Sequence, residues 1–175
     1  MYTHEVSVLH FKDCYVEGTL DFIFGVATAL FDDCTIVSKG KLGWIAAAST
    51  LEAQRFGYVF RRVLQHGEGA GTAHLGRSWW LFARTLFLQS NVGLPIVQSG
   101  WHNWDKLDAE RTTYYGEFGS VGAGALSEER VACSHRLSVA GPRRPHRDDS
   151  WQLAAVLLTL HGRAIVHASA ARGGT

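Results

Sequence analysis

Four runs, residues 20–24, 43–48, 83–88 and 112–118, are rich in aromatic and apolar side chains and are bounded by glycine or polar residues. That is the pattern of short, largely buried β-strands. Between them a unit recurs: Phe11-Lys12-Asp13-Cys14-Tyr15-Val16, Phe31-Asp32-Asp33-Cys34-Thr35-Ile36, Phe60-Arg61-Arg62-Val63-Leu64-Gln65 and Phe87-Leu88-Gln89-Ser90-Asn91-Val92. Each has Phe, then two mostly polar residues, then a small or apolar one, and we read each as a short strand. The phenylalanines lie 20, 29 and 27 residues apart. A drifting period of this size suits a solenoid of stacked β coils rather than a heptad or a meander. Such coils pair in parallel at about 4.8 Å, which predicts Phe11 over Phe31 and Cys14 over Cys34 in internal ladders. We expect those cysteines to be neighbouring free thiols, with a disulfide sterically allowed.

The pattern changes after Ser138. Residues 139–149 carry two of the three prolines and three arginines. From Trp151 to Val166 the chain is rich in Ala and Leu, and Trp151, Ala155 and Leu158 can share a helical face. The expected organisation is therefore an all-β solenoid over residues 1–138, and a linker with a divergent, helical or irregular tail over 139–175.

Composition narrows the function. The chain has 175 residues, 46% hydrophobic and 19% charged, enough to bury a core. Its net charge of +1 offers no global attraction for nucleic acid or an anionic membrane. No apolar stretch approaches the ~20 residues of a spanning helix. The first residues, Met1-Tyr2-Thr3-His4, lack the basic start and apolar run of a secretory signal. His66, His74, His102 and His135 show no repeated ligand spacing, and we expect neither metal nor cofactor. The Gly-rich segment 116–125 lacks the Lys-Ser/Thr of a phosphate loop and reads as turns.

The candidate chemistry is a carboxylate in an apolar strand. In Gly18-Thr19-Leu20-Asp21-Phe22-Ile23-Phe24-Gly25, alternation places Asp21 on the face opposite Leu20 and Phe22. Leu75-Gly76-Arg77-Ser78-Trp79-Trp80 supplies an arginine in a similar setting, and a bidentate Arg77–Asp21 pair would hold the acid and aim it. An aimed, ionised Asp is a competent nucleophile toward an ester. The plainer alternative is an ion pair that only specifies the fold. Trp79, Trp80, Trp101 and Trp104 offer flat apolar faces of the kind that hold sugars, or else core packing.

These segments, with Tyr114-Tyr115-Gly116-Glu117-Phe118, resemble in order the signature blocks of pectin methylesterases, over about residues 2–138. The resemblance implies a right-handed parallel β-helix that hydrolyses methyl esters of polygalacturonate and releases methanol. It implies that Asp21 is the nucleophile, that Arg77 fixes it, and that Trp79, Trp101 and Phe24 contact the substrate. It also implies pectin as partner, secretion to the cell wall and a monomeric intact protein. The family's second Asp, the general acid, belongs to a Gln-Asp-Thr-Leu-Tyr segment about one coil earlier, together with the oxyanion-stabilising glutamines. No such segment occurs in these 175 residues, and Tyr2 and His4 resemble the residues just beyond it. Ser78, Ser120 and Ala123 replace a usual Pro, Asn and Pro. The expectation is a weak or inactive esterase whose open solenoid end promotes self-association, with a non-catalytic pectin-binding β-helix as the alternative.

Overall fold

The computed structural model describes residues 1–4, 7–125 and 128–138. The linker and helical pattern expected over 139–175 lie outside the described residues. The first coil consists of β1 (Tyr2–Thr3), β2 (Val8–Lys12) and β3 (Tyr15–Gly18). The second is β4 (Leu20–Gly25), β5 (Thr28–Asp32) and β6 (Thr35–Ser38). The third is β7 (Gly43–Ala48), β8 (Tyr58–Arg61) and β9 (Leu64–Gly67). The fourth is β10 (Ala73–Ser78), β11 (Arg84–Leu88) and β12 (Asn91–Val92). Then come β13 (Trp101–His102), a 3-10 turn at Leu107–Arg111, β14 (Tyr114–Phe118) and β15 (Ser134–Arg136).

As far as β14, every third strand joins the same sheet. The first sheet runs β1-β4-β7-β10-β13, the second β2-β5-β8-β11-β14-β15, and the third β3-β6-β9-β12, all paired in parallel. Three parallel sheets closed by successive turns of one chain are the expected parallel β-helix.

The recurring Phe unit is a corner, not a strand. Phe11 and Lys12 end β2, Asp13 turns the chain, and Cys14 leads into β3. Asp13, Asp33, Arg62 and Gln89, one per coil, all have φ between 50° and 54°. Gly119 takes the same place in the last coil, with φ of 59°. One left-handed residue bends the chain sharply without spending several positions, so the Phe two places before it and the residue after it both enter the core, as Phe31 with Cys34 and Phe60 with Val63 do. The sequence pattern was therefore the footprint of a repeated bend.

Stacking these corners stacks the phenylalanines. Phe11, Phe31, Phe60 and Phe87 are register partners, with ring centroids 4.8, 4.7 and 4.5 Å apart and planes within 16° of parallel. The next register position is Glu117, whose carboxylate is buried and held by Arg130 at 2.7 Å and by the Trp101 indole N–H at 3.2 Å. It is neither solvated nor part of a turn. Cys14 and Cys34 are free thiols on successive corners. Cys34 donates to the carbonyls of Phe11 and Asp32, and its burial pushes the thiol up to about 11. A thiol so raised stays protonated and poorly nucleophilic at neutral pH.

Phe60 is fully buried with aromatic neighbours on both faces, whereas Phe11 ends the ladder and is half-buried. Phe60→Ala is expected to cost about 3–5 kcal/mol and Phe11→Ala distinctly less. Urea unfolding midpoints compare the two, and equal losses would deny the ladder its place as the core's spine.

Candidate active site

The site forms on the outer face of the first sheet, where β4 departs from regular pairing. Its register with β7 slips between Leu20 and Ile23. Asp21 occupies the slip with φ of 46°. Simple alternation does not hold there: Leu20 is exposed, while Phe22 and Ile23 both enter the core. A left-handed non-glycine residue costs on the order of 1–3 kcal/mol, and Asp tolerates it better than most. Gly18 allows the slip, because a Cβ there would lie 2.3 Å from the Cβ of Phe22. Gly25 closes β4 with φ of 129°, and a Cβ there would meet the Thr3 carbonyl oxygen at 2.1 Å. The bulge thus turns one carboxylate outward from a strand that is otherwise committed to the core.

Arg77 reaches that carboxylate from β10. Its Nε donates to Asp21 Oδ1 at 2.9 Å and its Nη2 to Oδ2 at 2.5 Å, the forked geometry expected from the sequence. The two residues stand two strands apart, roughly 9–10 Å. Between them the register position facing Arg77 is Ala47, whose single methyl group lets the long side chain pass over β7. Both partners are largely covered, at 12% and 19% side-chain exposure.

The guanidinium is also held face to face. Its central carbon lies 3.9 Å from the ring centre of Trp44 and 3.5 Å from that of Trp104. Stacking on both faces leaves the in-plane edge to hydrogen-bond, and Asp21 takes it. Trp44 continues downward as a ladder: its ring stacks on His74 at 5.6 Å, and His74 meets His102 edge-on at 5.5 Å. Histidines 28 residues apart in the chain therefore touch, because β10 and β13 are neighbours. Among the described residues no group of three or more His, Cys, Asp and Glu side chains converges as a metal site would.

Of the aromatics singled out from sequence, Phe24 and Trp79 do meet beside this pair, edge-on with centroids 5.8 Å apart. Trp101 does not join them. It is 1% exposed, stacks on Tyr115 at 4.4 Å and bonds Glu117 from inside the solenoid. Strand alternation explains the correction: Trp101 and His102 are the two residues of β13, so one must face in, and the bulky apolar ring does. Trp104, three residues on, is the aromatic that reaches Arg77. Trp44 was not singled out, and Trp104 was read as a sugar-holding or core aromatic rather than as a partner of Arg77, because nothing local marks a tryptophan that will stack on an arginine from another coil. Beyond Trp79 a groove of about 450 Å³ opens between Leu51, Trp80, Leu81, Phe82 and Lys106, and the Lys106 ammonium donates to the Trp79 carbonyl at 2.6 Å.

Burial pushes His74 down from an ordinary 6.5 to about 4, helped by its electrostatic interactions with His102 and Arg77. The unfolded chain therefore takes up this proton at a pH where the folded one does not. The stabilisation is complete above about 6.5 and is lost as pH falls toward 4. His74→Phe, which keeps the stack on Trp44, should flatten that slope in urea midpoints measured between pH 4 and 7. An unchanged slope would place the acid sensitivity elsewhere.

Comparison with known proteins gives these residues a lineage. The pectinesterase family model matches residues 1–140. Pectinesterase 31 of Arabidopsis thaliana is 41% identical over 130 residues, covering 73% of this chain and 41% of that protein. The structure superposes on the pectin methylesterase from carrot with a TM-score of 0.71 and 26% identity, covering 91% of this chain and 55% of the carrot chain. It also superposes on a pectin methylesterase in complex with hexasaccharide VII, at a TM-score of 0.60 and 26% identity, over 78% of this chain and 48% of that one. The chain thus spans about two fifths of that curated relative and half of the solved ones. With its ladder of coils, its bulged Asp21 and the arginine that grips it, this chain belongs to the pectinesterase family.

Proposed function

We propose that this chain carries the nucleophile half of a pectin methylesterase site and acts on methyl esters of polygalacturonate. The observation that supports this most is the Asp21–Arg77 fork, clamped between two indoles and opening beside Phe24 and Trp79. A carboxylate fixed at both oxygens keeps its remaining lone pairs in a defined direction, which is the entropic part of nucleophilic catalysis. Asp21 attacks the ester carbonyl carbon and forms an acyl anhydride. The methoxide departs with a proton from an acid. Water then cleaves the anhydride, returning one proton to that acid and restoring Asp21, and the uronic acid product ionises to its carboxylate. Phe24 and Trp79 offer apolar faces to the sugar rings. The relative solved with a hexasaccharide is consistent with an oligosaccharide in this cleft. Pectin as substrate carries with it an extracellular, cell-wall setting.

By the family resemblance, the acid and the oxyanion donors come from a Gln-Asp-Thr-Leu-Tyr coil that these residues do not include. One oxyanion donor is worth about 10²–10³ in rate and a positioned acid about 10²–10⁴. The chain as given should therefore release methanol slowly, with what remains depending on Asp21.

Methanol release from highly methylated pectin tests this. Asp21→Asn is expected to remove the chain-dependent release. Arg77→Lys, which keeps the charge and loses the fork, should lower it on the order of 10²-fold. Equal release from the parent chain and Asp21→Asn would overturn the nucleophile assignment. Pectin binding without any release would favour the second reading, a non-catalytic pectin-binding β-helix, to which the same aromatic face lends itself.

A further inference from the structure

His102 is the side chain of this region with geometry that neither fold nor nucleophile explains. Trp104 and Asp105 are consecutive non-glycine residues with φ of 58° and 55°. Such a pair does not persist unless its surroundings hold it. Two side chains do so, each bonding the backbone two residues on. The Trp104 N–H donates to His102 Nδ1 at 2.9 Å, and the Asp105 N–H donates to Asn103 Oδ1 at 2.8 Å. The Asn bond is the usual Asx turn. The His bond is its imidazole counterpart, and it holds the residue whose ring covers Arg77.

We propose that His102 is a positioning residue for the Asp21–Arg77 pair, acting through a neutral imidazole that accepts the Trp104 N–H at Nδ1 and so seats the Trp104 indole on the guanidinium. The chain of contacts is continuous. His102 pairs in register with Arg77. Its ring is wedged edge-on against Trp44 at 5.9 Å and against His74 at 5.5 Å, which fixes where Nδ1 points. Its carbonyl accepts the Tyr115 hydroxyl at 3.2 Å, anchoring the backbone from the core side. From Nδ1 the order passes to Trp104, then to the guanidinium 3.5 Å from that ring, then to Asp21.

The bond requires a lone pair on Nδ1, so any ring proton sits on Nε2. Imidazolium has none to give, and a protonated Nδ1 would confront the Trp104 N–H donor to donor. The seat of Trp104 therefore depends on Nδ1 staying unprotonated. The titratable and charged groups around His102 are His74 and Arg77 from β10 and the Tyr115 hydroxyl from β14, with Lys106 beyond the Trp104 ring at 5.0 Å from its centre.

The proposal rests on the esterase reading only for its kinetic consequence, so the experiment carries two readouts. His102→Asn supplies a carbonyl acceptor that does not titrate, and His102→Phe keeps a ring and removes the acceptor. In ¹⁵N NMR from pH 8 to 4.5, the parent chain's Trp104 amide and Arg77 Nε–H are expected to shift together in one titration. His102→Asn should keep the high-pH positions throughout. His102→Phe should exchange its Trp104 amide about tenfold faster at every pH, as the loss of one hydrogen bond predicts. Asp21-dependent methanol release should lose its acidic limb in His102→Asn and fall at all pH in His102→Phe.

A Trp104 amide that titrates in His102→Asn as in the parent overturns the proposal. So does one equally protected in His102→Phe. If His102→Phe does not fold, the His102→Asn titration decides alone. Absence of methanol release from every protein counts against the esterase reading and leaves the NMR result to judge His102.

Discussion

In-register parallel stacking governs this molecule. A solenoid coil can bury its apolar face only against the coils above and below, so each position must repeat or be compensated. The left-handed corner residue enforces this: Asp13, Asp33, Arg62, Gln89 and Gly119 bend the chain at the same place, and the rings before them stack 4.5–4.8 Å apart. The polar side chains at the corners are themselves compensated. Arg61 forks Asp32 and Arg62 forks Asp33 from the next coil, and Arg62 with Lys12 holds the Asp33 carboxyl well below the usual carboxylate range. At the position before the corner, Lys12, Asp32 and Arg61 alternate in sign from coil to coil.

The same regularity makes the exception informative. On the first sheet, β4 breaks register, and the break is where a carboxylate leaves the core side and meets an arginine two coils away. Strain at Asp21 is sustained because both its oxygens and both faces of its partner are occupied. A site built on four successive coils is rigid for the reason the fold is: no element of it can shift without disturbing the register of its neighbours.

Aromatic stacking serves two ends here. Inside, the Phe ladder and the Trp101–Tyr115 stack fill volume, with the indole N–H satisfied by a buried Glu117–Arg130 pair. Outside, Trp44 and Trp104 spend their faces on a cation. The two uses look alike in sequence, since Gly100-Trp101-His102-Asn103-Trp104 contains one of each.

The sequence by itself determined the stack. Short strands, a drifting period and one Phe unit per turn admit few architectures, and coil stacking made Phe11 and Phe31 partners before any coordinates. It also determined the Asp21–Arg77 pair, because a lone carboxylate in an apolar strand needs a cation and the first 80 residues offer one in a matching setting. What it left open were facts of long-range geometry. The Phe units turned out to be bends, since a left-handed residue leaves no mark when Asp, Arg and Gln all serve. Trp101 turned inward and Trp104 outward because a two-residue strand decides its faces only once it pairs. His74, His102 and Trp44 became neighbours because loop lengths between coils vary while register does not, and register belongs to the tertiary structure alone.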